Sequence, residues 1–270
     1  MINIVTALQC EAKPLIHRYQ LKGQNSPAGF RIYENRRMRL IVSGPGKLAS
    51  AAACTYLYAR HGEEQDQAWL NLGVAGHTSL PLGRPRLMHK IIDGGSDQRW
   101  YPPLVFEPPC PGATCLTVEQ PQQHYKDDLC YEMEASGFYA SASRFSSSEL
   151  VQVLKIISDN RDHPISEITE KQVVTMIEAQ LPLIDRLIQT LSELATELRQ
   201  IQSPPDLMAS FLEGWHFTTC QHNQLRQLLL RWQALSPEQP PSAEPFHNLR
   251  KSGEVLRALE QQLARLPIRF

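Results

Sequence analysis

Two glutamates stand at the head of the segment CYEMEASGFYASAS, which runs from Cys130 to Ser143 and becomes small and apolar like a helix. Glu132 and Glu134 flank Met133 in this segment. Acids in the first turn of a helix complement its positive N-terminal dipole and contribute about 0.3–1 kcal/mol. A carboxylate in this position can instead hold a substrate, so the pattern by itself leaves both interpretations open.

Two further acids follow predicted strands. Glu11 comes in a short turn after the first strand, which ends at Ala7, and Asp159 comes just past the apolar strand in KIISDN (155–160). Each has a structural alternative, because an acid after a strand is a common turn residue or helix N-cap, and Glu11 also fits the solvated first turn of a helix. Lys155, inside the apolar run, is expected to snorkel or to pair with an acid.

Strands and helices alternate in roughly the first 160 residues, and these elements must position the acids. The glycine-led segment GPGKLASAAACTYLYARHG predicts a turn and a helix, and the run from Cys130 predicts another. We expect an α/β fold whose central mixed, twisted and mostly parallel sheet has helices on both faces. Apolar and β-branched segments predict strands at residues 2–8, 30–35, 38–44, 68–76, 86–93, 113–118 and 149–159, the second and third of them as a hairpin.

The character of the chain changes after Pro164. Residues 166–201 have apolar residues at helical spacing, and Pro182 divides this stretch or starts a second helix. The apolar stripe of that stretch consists of Ile184, Leu187, Leu191, Leu194 and Leu198. We expect an α/β domain at residues 1–202.

A helical C-terminal extension is predicted at residues 203–270. SPPD (203–206) breaks the chain, and residues 207–235 and about 246–266 each predict an amphipathic helix, the latter with Leu256, Leu259, Leu263 and Leu266 in one stripe. The proline-rich SPEQPPSAEP (236–245) joins them. This region is short for an independent core, so we expect it to pack on the main domain or on a partner chain.

The composition of the 270 residues argues against several classes of protein. A formal net charge of -1 provides no global basic field for nucleic acid, and the six cysteines form no CxxC pair, so no zinc site is expected. The N-terminal MINIVTALQCEAK has no basic n-region and is predicted to be a strand, not a signal peptide. No apolar run approaches the roughly 20 residues that span a bilayer. We expect a cytoplasmic protein with free thiols and no membrane or nucleic-acid partner.

Four segments in order resemble the nucleoside phosphorylase and nucleosidase superfamily: SGPGK (43–47), NLGVAGH (71–77), EMEA (132–135) and ISD (157–159). The chain is most similar to the methylthioadenosine/S-adenosylhomocysteine nucleosidase branch and its single-domain hydrolase relatives. EMEA and ISD at this separation are the specific parts of the resemblance. It covers roughly the first 200 residues and does not extend to the last 65 or so.

The resemblance implies a twisted central sheet with flanking helices and cleavage of the N-glycosidic bond of nucleosides. By resemblance, Glu134 binds the ribose hydroxyls, Met133 packs beneath the sugar, Asp159 is the acid at N7 of the leaving purine, and Glu11 orients or deprotonates water. The resemblance also implies no cofactor, no metal, and a homo-oligomer in which a neighbouring subunit completes the pocket. The remaining residues expected to bind the nucleoside are Ala7, Gly73, Val74, Ala75 and Ser158.

The chemistry of this bond agrees with two or three carboxyl groups. Its cleavage gives an oxocarbenium-like transition state, in which contacts to the 2-hydroxyl strengthen. A neutral purine leaves far more easily than its anion, and a general acid typically contributes about 10²–10⁴-fold. Burial can raise the pKa of a carboxyl group until it holds that proton, and Asp159 follows a strand that is apolar enough to bury it.

The attacking group is water or phosphate, and the sequence favours water. In the phosphorylases an arginine precedes the glycine of the strand-ending turn by two residues, and a hydroxyl residue follows that glycine. Here these positions hold Asn71 and Val74, and Glu11 would repel a phosphate dianion. Val74 also replaces the serine that is usual in the nucleosidases. Phosphate is therefore expected as a co-substrate only if the protein is a phosphorylase.

The predicted base loop, VEQPQQHYKDDLCY (118–131), is shorter than its counterpart in the classical nucleosidases and lacks their Phe-Ile pair. The sequence does not rank the residues of this loop that could line the base pocket. They are Gln120, Gln122, Gln123, His124 and Tyr125. His77 could line the pocket or a surface turn, and Trp100 and Tyr101 could stack on the base or anchor a loop. A third interpretation is a nucleoside-binding or scaffold protein that kept the fold without the chemistry.

Overall fold

The computed structural model describes residues 1–61, 67–122, 124–202 and 207–266. The chain divides into two compact units, Met1–Glu197 and Leu198–Phe270. Among the described helices, none is long and apolar enough to cross a membrane.

The first unit contains a mixed sheet and helices. Its strands are β1 (Ile2–Thr6), β2 (Lys22–Gln24), β3 (Arg31–Glu34), β4 (Met38–Val42), β5 (Ala68–His77), β6 (Pro85–Asp93), β7 (Arg99–Trp100), β8 (Gly112–Thr117), β9 (Cys130–Glu132) and β10 (Val151–Asp159). Its helices are α1 (Gln9–Arg18), α2 (Lys47–His61), α3 (Ala135–Ala142), α4 (Glu170–Ala179) and α5 (Leu181–Gln202), the last of which continues past Glu197.

The strand order is β10-β6-β8-β9-β5-β1-β4-β3-β2, with β7 on the outer side of β6. Because β10 also pairs with β5, strands β5, β10, β6, β8 and β9 close into a ring. The strands β1, β4, β5 and β10 are mutually parallel where they pair, and so are β6, β8 and β9. Strands β2 and β3, by contrast, form an antiparallel meander with β4, as the hairpin prediction required.

The prediction of a mixed sheet is confirmed, but the sheet is less parallel than expected, since antiparallel pairs also join β10 to β6 and β5 to β9. The reason lies in the connection after β5. This strand ends at His77 and β6 begins at Pro85, which leaves too few residues for the crossover of a dozen or more that a parallel return requires. The chain therefore turns back, and β6 runs against β10.

The segment from Cys130 begins as a strand and not as the predicted helix. Cys130 and Tyr131 pair with both β5 and β8, and Glu132 pairs with Thr117, before α3 starts at Ala135. Two neighbouring strands thus override the local helical pattern for three residues, because pairing and burial decide strand structure more than propensity does.

Two apolar cores cover the two faces of the sheet, which confirms the prediction of helices on both faces. Alternate residues of a strand point to opposite faces, so Ile4 and Leu70 belong to the core beneath α1, α4 and α5, together with Ile177. Val5 and Trp69 belong to the core beneath α2 and α3. The strands β1 and β10 are therefore completely buried and β5 almost completely, so polar groups inside them require partners from the chain itself.

The predicted apolar stripe lies on α5. Ile184, Leu187 and Leu191 are buried against the first core, whereas Leu194 and Leu198 are half-buried. Pro182 is the second residue of α5, so it starts this helix and does not interrupt it, as its missing N–H allows in a first turn.

The second unit contains α6 (Leu207–Gly214), α7 (Thr219–Leu235) and α8 (Ser252–Leu263). The single helix predicted at 207–235 is therefore two, and Thr218 caps the second by accepting the N–H of Gln221 at 3.3 Å. The predicted break at 203–206 lies outside the described residues.

The prediction that this region lacks a core of its own is wrong. Phe211, Trp215 and Phe246 pack with Leu229 and Leu259 into a separate apolar cluster. Large aromatic side chains bury about 150–250 Å² each, so a few of them supply an apolar core in a short helical segment. The Trp215 indole also donates to a backbone carbonyl at 2.8 Å, which satisfies its polar atom.

Candidate active site

A cavity of about 280 Å³ opens where the carboxyl ends of β1 and β10 meet the middle of β5. Glu11, Glu134 and Asp159, three acids far apart in sequence, all line it. The parallel strands β1 and β10 end at the same edge of the sheet, which brings Glu11 and Asp159 together. Glu134 arrives from another direction, since it follows β9, which runs antiparallel to β5, at the start of α3. The other predicted site residues that line the cavity are Ala7, Val74, Ala75, Met133 and Ser158.

Glu11 is held by backbone N–H groups at the start of α1. Its Oε2 accepts the N–H groups of Ala7 and Leu8, both at 2.8 Å, and its Oε1 accepts the N–H of Val74 at 3.0 Å. The side chain is 3% exposed. Burial raises the pKa of Glu11 to about 7, against the opposing effect of the Lys155 charge. The carboxyl group therefore exchanges its proton near neutral pH.

Gly73 does not line the cavity, but it makes room for Glu11. A Cβ at Gly73 would lie 2.8 Å from Glu11 Oε1 and 3.4 Å from Lys155 Nζ. Carbon atoms do not approach an oxygen so closely without displacing it. Glycine is thus required at this point of β5 because the Glu11 carboxyl group lies close to the strand backbone, and not because of an unusual backbone angle.

Lys155 is a buried cation beneath the cavity. Its Nζ lies 3.0 Å from Glu132 Oε2 and 3.5 Å from Glu134 Oε2, and its side chain is 1% exposed. Burial lowers the pKa of Lys155, but the charges of Glu132, Glu134 and Glu11 outweigh burial and raise it overall. The amine therefore stays charged and compensates acids that would otherwise be costly to bury. The predicted pairing with an acid is confirmed.

Glu132 accepts hydrogen bonds from other groups of the chain. Its Oε2 accepts the N–H groups of Glu134 at 3.0 Å and of Ala135 at 2.7 Å, at the N-terminus of α3, and its Oε1 accepts the hydroxyl of Thr117. These bonds satisfy donors that a helix leaves free at its first turn. Glu132 thus has the helix-stabilising role that the first-turn pattern predicted.

Glu134 is turned towards the cavity and the SGPGK loop. Its Oε1 accepts the N–H of Gly46 at 2.9 Å. Burial raises the pKa of Glu134, while the Lys155 charge lowers it and the Glu132 charge raises it. The contact depends on the close crossing of α2 and α3, since a Cβ at Gly137 would collide with the backbone of Lys47.

Asp159 ends β10 and is 1% exposed. Its Oδ2 accepts the hydroxyl of Tyr125, and its Oδ1 accepts the hydroxyl of Ser158 at 2.5 Å. Gly76 lies beside this pair, and any Cβ there would overlap both Tyr125 and Asp159. Each oxygen of the Asp159 side chain therefore accepts one hydroxyl donor of the chain.

The base loop contributes two of its predicted candidates to the cavity, Gln122 and Tyr125. Gln120 and His124 do not line it, and Gln123 lies outside the described residues. Tyr131, which the sequence did not single out, also lines the cavity, and its ring centroid lies 5.3 Å from that of Tyr125. The alternation of β9, had it been predicted as a strand, would have pointed to this side chain.

The other aromatic and histidine candidates lie elsewhere. His77 is buried, and its Nδ1 accepts the N–H groups of Ser79 and Leu80, both at 3.1 Å, so it is neither a cavity nor a surface residue. Trp100 lies in β7 and Tyr101 is 62% exposed, and neither lines the cavity.

The lining of the cavity, as far as the described residues form it, is acidic and has no basic side chain. Among the described residues that line it there is no arginine, lysine or histidine, although the four carboxyl groups of Glu11, Glu132, Glu134 and Asp159 are there. Within the described chain, no cluster of three or more His, Cys, Asp or Glu side chains could hold a metal ion. The arrangement can give and take protons around one small polar ligand.

Comparison with known proteins supports the same fold. No protein-family model matches the sequence, and no curated protein matches it significantly. Solved structures do match. The 5′-methylthioadenosine nucleosidase of Arabidopsis thaliana in its apo form has 15% identity and a TM-score of 0.60, over 70% of this chain and 95% of that chain.

Two bacterial structures are similar to the same degree. A 5′-methylthioadenosine/S-adenosylhomocysteine nucleosidase from Colwellia psychrerythraea, in complex with adenine, has 16% identity and a TM-score of 0.55 over 70% of this chain and 95% of that one. The enzyme from Neisseria meningitidis, in complex with methylthio-immucillin-A, has 16% identity and a TM-score of 0.52 over 66% and 96%. The chain thus has the fold of the methylthioadenosine/S-adenosylhomocysteine nucleosidases, which confirms the predicted resemblance at the level of fold.

Proposed function

We propose that this protein cleaves the N-glycosidic bond of a purine nucleoside by hydrolysis. The observation that supports this most strongly is the convergence of Glu11, Glu134 and Asp159 on one cavity from three separate elements. Fold similarity alone does not define an activity, whereas three acids around one sugar-sized space match the needs of this reaction. The names of the similar structures make an adenine nucleoside the first substrate to test.

Asp159 is the acid in this proposal. It delivers a proton to N7 of the purine, so that the base leaves neutral and the bond electrons remain on the base. Its burial at the end of β10 keeps bulk water away from that proton. The general acid contributes about 10²–10⁴-fold to the rate.

Glu134 binds the ribose hydroxyls, and Met133 packs beneath the sugar. One Glu134 oxygen accepts from Gly46 N–H, and the other lies 3.5 Å from Lys155 Nζ. Such fixed partners hold the carboxylate in place while positive charge develops at C1′. A preorganised anion near a developing cation stabilises the transition state more than the ground state.

Glu11 activates the attacking water. A pKa of about 7 lets it be ionised in much of the protein at neutral pH and still take a proton from water as the bond forms. The three backbone N–H groups fix its orientation. In this step the oxygen of water bonds to C1′, and one proton of that water passes to Glu11.

Water is favoured over phosphate by the charge of the cavity. A phosphate dianion needs arginine or lysine contacts, and no such side chain is among the described residues that line the cavity. Those of the four lining acids that are ionised would repel the dianion. The phosphorylase alternative, with phosphate as co-substrate, thus lacks its binding group here.

We also propose a homo-oligomer. Leu8 and Ile165 line the cavity and are nevertheless 41% and 37% exposed, so a neighbouring subunit would cover apolar surface at its rim. Light scattering of the purified protein tests this directly. A monomeric mass at micromolar concentration would contradict it.

The proposed function is tested by incubating the full chain with purine nucleosides, with and without inorganic phosphate, and measuring base release. Hydrolysis predicts free base and free ribose at a rate independent of phosphate. Ribose 1-phosphate as the product would establish the phosphorylase instead. Nucleoside binding by calorimetry without base release would favour the non-catalytic alternative.

A further inference from the structure

Tyr125 closes the end of the cavity at which Asp159 lies. The side chain is 5% exposed and lines the cavity, and its hydroxyl donates to Asp159 Oδ2. Ser158, on the other side, donates to Oδ1. Both oxygens of the proposed acid therefore accept hydrogen bonds from hydroxyl groups of the chain. A base nitrogen that takes Oδ2 as its partner therefore competes with the Tyr125 hydroxyl, and one that takes Oδ1 competes with the Ser158 hydroxyl.

Tyr125 and not Ser158 is the donor that can give way. Ser158 lies within the buried strand β10, and its hydroxyl also lies 3.4 Å from the Ala75 carbonyl. Tyr125 belongs to the loop and faces the cavity. Gly76, whose missing side chain leaves the space for the Tyr125–Asp159 contact, borders that side of the cavity as well.

The backbone around Tyr125 is held in place from several directions. Arg161 donates to the Tyr125 carbonyl at 2.9 Å, Thr78 donates to the Asp127 carbonyl, and the Asp127 N–H donates to the Tyr131 hydroxyl at 3.2 Å. The displacement of the hydroxyl is thus a movement of the side chain on a fixed loop. It requires no opening of the loop.

We propose that Tyr125 determines specificity for the leaving base: its hydroxyl exchanges Asp159 for the substituent at position 6 of a bound purine. This rests on the proposed function. In purines the 6-substituent and N7 lie on the same edge, so a base that receives the proton of Asp159 presents position 6 to the displaced hydroxyl. A phenol hydroxyl both donates and accepts. It can therefore pair with a 6-amino or a 6-oxo group, whereas a purine with hydrogen at position 6 leaves it without a partner.

The energetics support selection by this residue. A buried donor or acceptor that loses its partner costs at least as much as a hydrogen bond contributes on average. Burial, followed by the hydrogen bond to Asp159 and its charge, raises the pKa of Tyr125, so the phenol keeps its proton and remains a donor. Unsubstituted purine should thus bind more weakly than adenine, and the difference in affinity should depend on the hydroxyl oxygen of Tyr125.

The test is calorimetric titration of the full chain with adenine and with unsubstituted purine. In Tyr125→Phe, which keeps the ring and its packing on Tyr131, the preference for adenine should shrink by about three- to tenfold relative to the wild type, which is the worth of one hydrogen bond. Tyr19→Phe is the matched control. It removes another tyrosine–aspartate hydrogen bond, to Asp185 at 2.7 Å, away from the cavity, and it should keep the wild-type preference.

The outcomes separate this inference from the proposed function. An unchanged preference in Tyr125→Phe overturns the inference alone if the protein still releases base from nucleosides. A reduced preference supports the inference even in a protein without turnover, which would overturn only the proposed hydrolysis. Absence of binding to both bases and of base release overturns both. A crystal structure with adenine, in which the hydroxyl still donates to Asp159, would also overturn the inference.

Discussion

Lys155 and Glu132 form an ion pair in the interior of the first unit, with Nζ and Oε2 3.0 Å apart and side chains 1% and 0% exposed. The pair lies beneath the cavity, and Glu134 lies 3.5 Å from the same amine. One lysine thereby holds two acids, of which one stabilises a helix and the other faces the cavity. This connects the stability of the fold to the geometry of the site.

Lys155→Met should destabilise the protein strongly. The substitution leaves Glu132 and Glu134 buried near each other without a cation, and loss of one partner of a buried pair costs about 3–5 kcal/mol. Equilibrium unfolding in urea, followed by circular dichroism, measures the change. Arg18→Met breaks the largely exposed pair with Asp185 and should have far less effect. Equal, small effects of the two substitutions would contradict the buried role, and adding Glu132→Gln to Lys155→Met should restore part of the loss.

The pH dependence should follow Glu11. As base, it must be ionised, so kcat/KM should rise as pH increases through about 7, the pKa of this carboxyl group. The raised pKa of Glu11 also affects the free energy of unfolding. The folded state holds the proton above the ordinary value of 4.5, so the Glu11 contribution is present at low pH and is lost as pH rises from about 4.5 to about 7. Glu11→Gln should remove the rise in activity and flatten the stability curve in that window. A wild-type profile that is flat between about pH 5 and about pH 8 would contradict the assignment.

Asp159→Asn should slow turnover by at least about 10²-fold and leave substrate affinity nearly intact. An amide accepts the same hydroxyl donor at its oxygen but has no acidic proton for N7. Single-turnover kinetics with adenosine separates the chemical step from binding. A rate close to the wild-type value would rule out the acid role.

Glu134→Gln should impair both binding and rate, because contact with the ribose is made in the ground state and in the transition state. We expect a higher KM together with a lower kcat. Glu119→Gln serves as the comparison, since Glu119 also pairs with a lysine, at 2.6 Å from Lys47, but its side chain is 69% exposed. If the two variants behave alike, the ribose contact is not made by Glu134.

Gly73→Ala should reduce activity by about 10²-fold, although it adds a single methyl group. The new Cβ would displace Glu11 from its backbone donors, and a shift of about 1 Å in a catalytic group can cost 10²-fold in rate. Gly23→Ala is the control, because its Cβ would meet nothing closer than 3.9 Å. Wild-type kcat in Gly73→Ala would show that the site tolerates the shift.

Local sequence patterns were sufficient to predict most of the strands and helices. Continuous apolar segments predicted β1, β5 and β10, and helical spacing predicted α5, because side-chain periodicity is a property of the chain itself. At Cys130–Glu132 the local pattern predicted a helix, and this was wrong because pairing with β5 and β8 holds these residues in an extended strand. The same reasoning did not predict the antiparallel pairs of β10 with β6 and of β5 with β9, since strand direction depends on partners that are distant in sequence.

The amino-acid sequence by itself determined which acids stand after which strands, and the resemblance in EMEA and ISD indicated which of them to follow. Only the tertiary structure decided that Glu11, Glu134 and Asp159 share one cavity, that Lys155 pairs with Glu132 and Glu134, and that the Tyr125 hydroxyl bonds to Asp159. The physical reason is that periodicity and composition are local, whereas hydrogen bonds, burial and the pKa shifts that follow from them arise between residues that folding brings together.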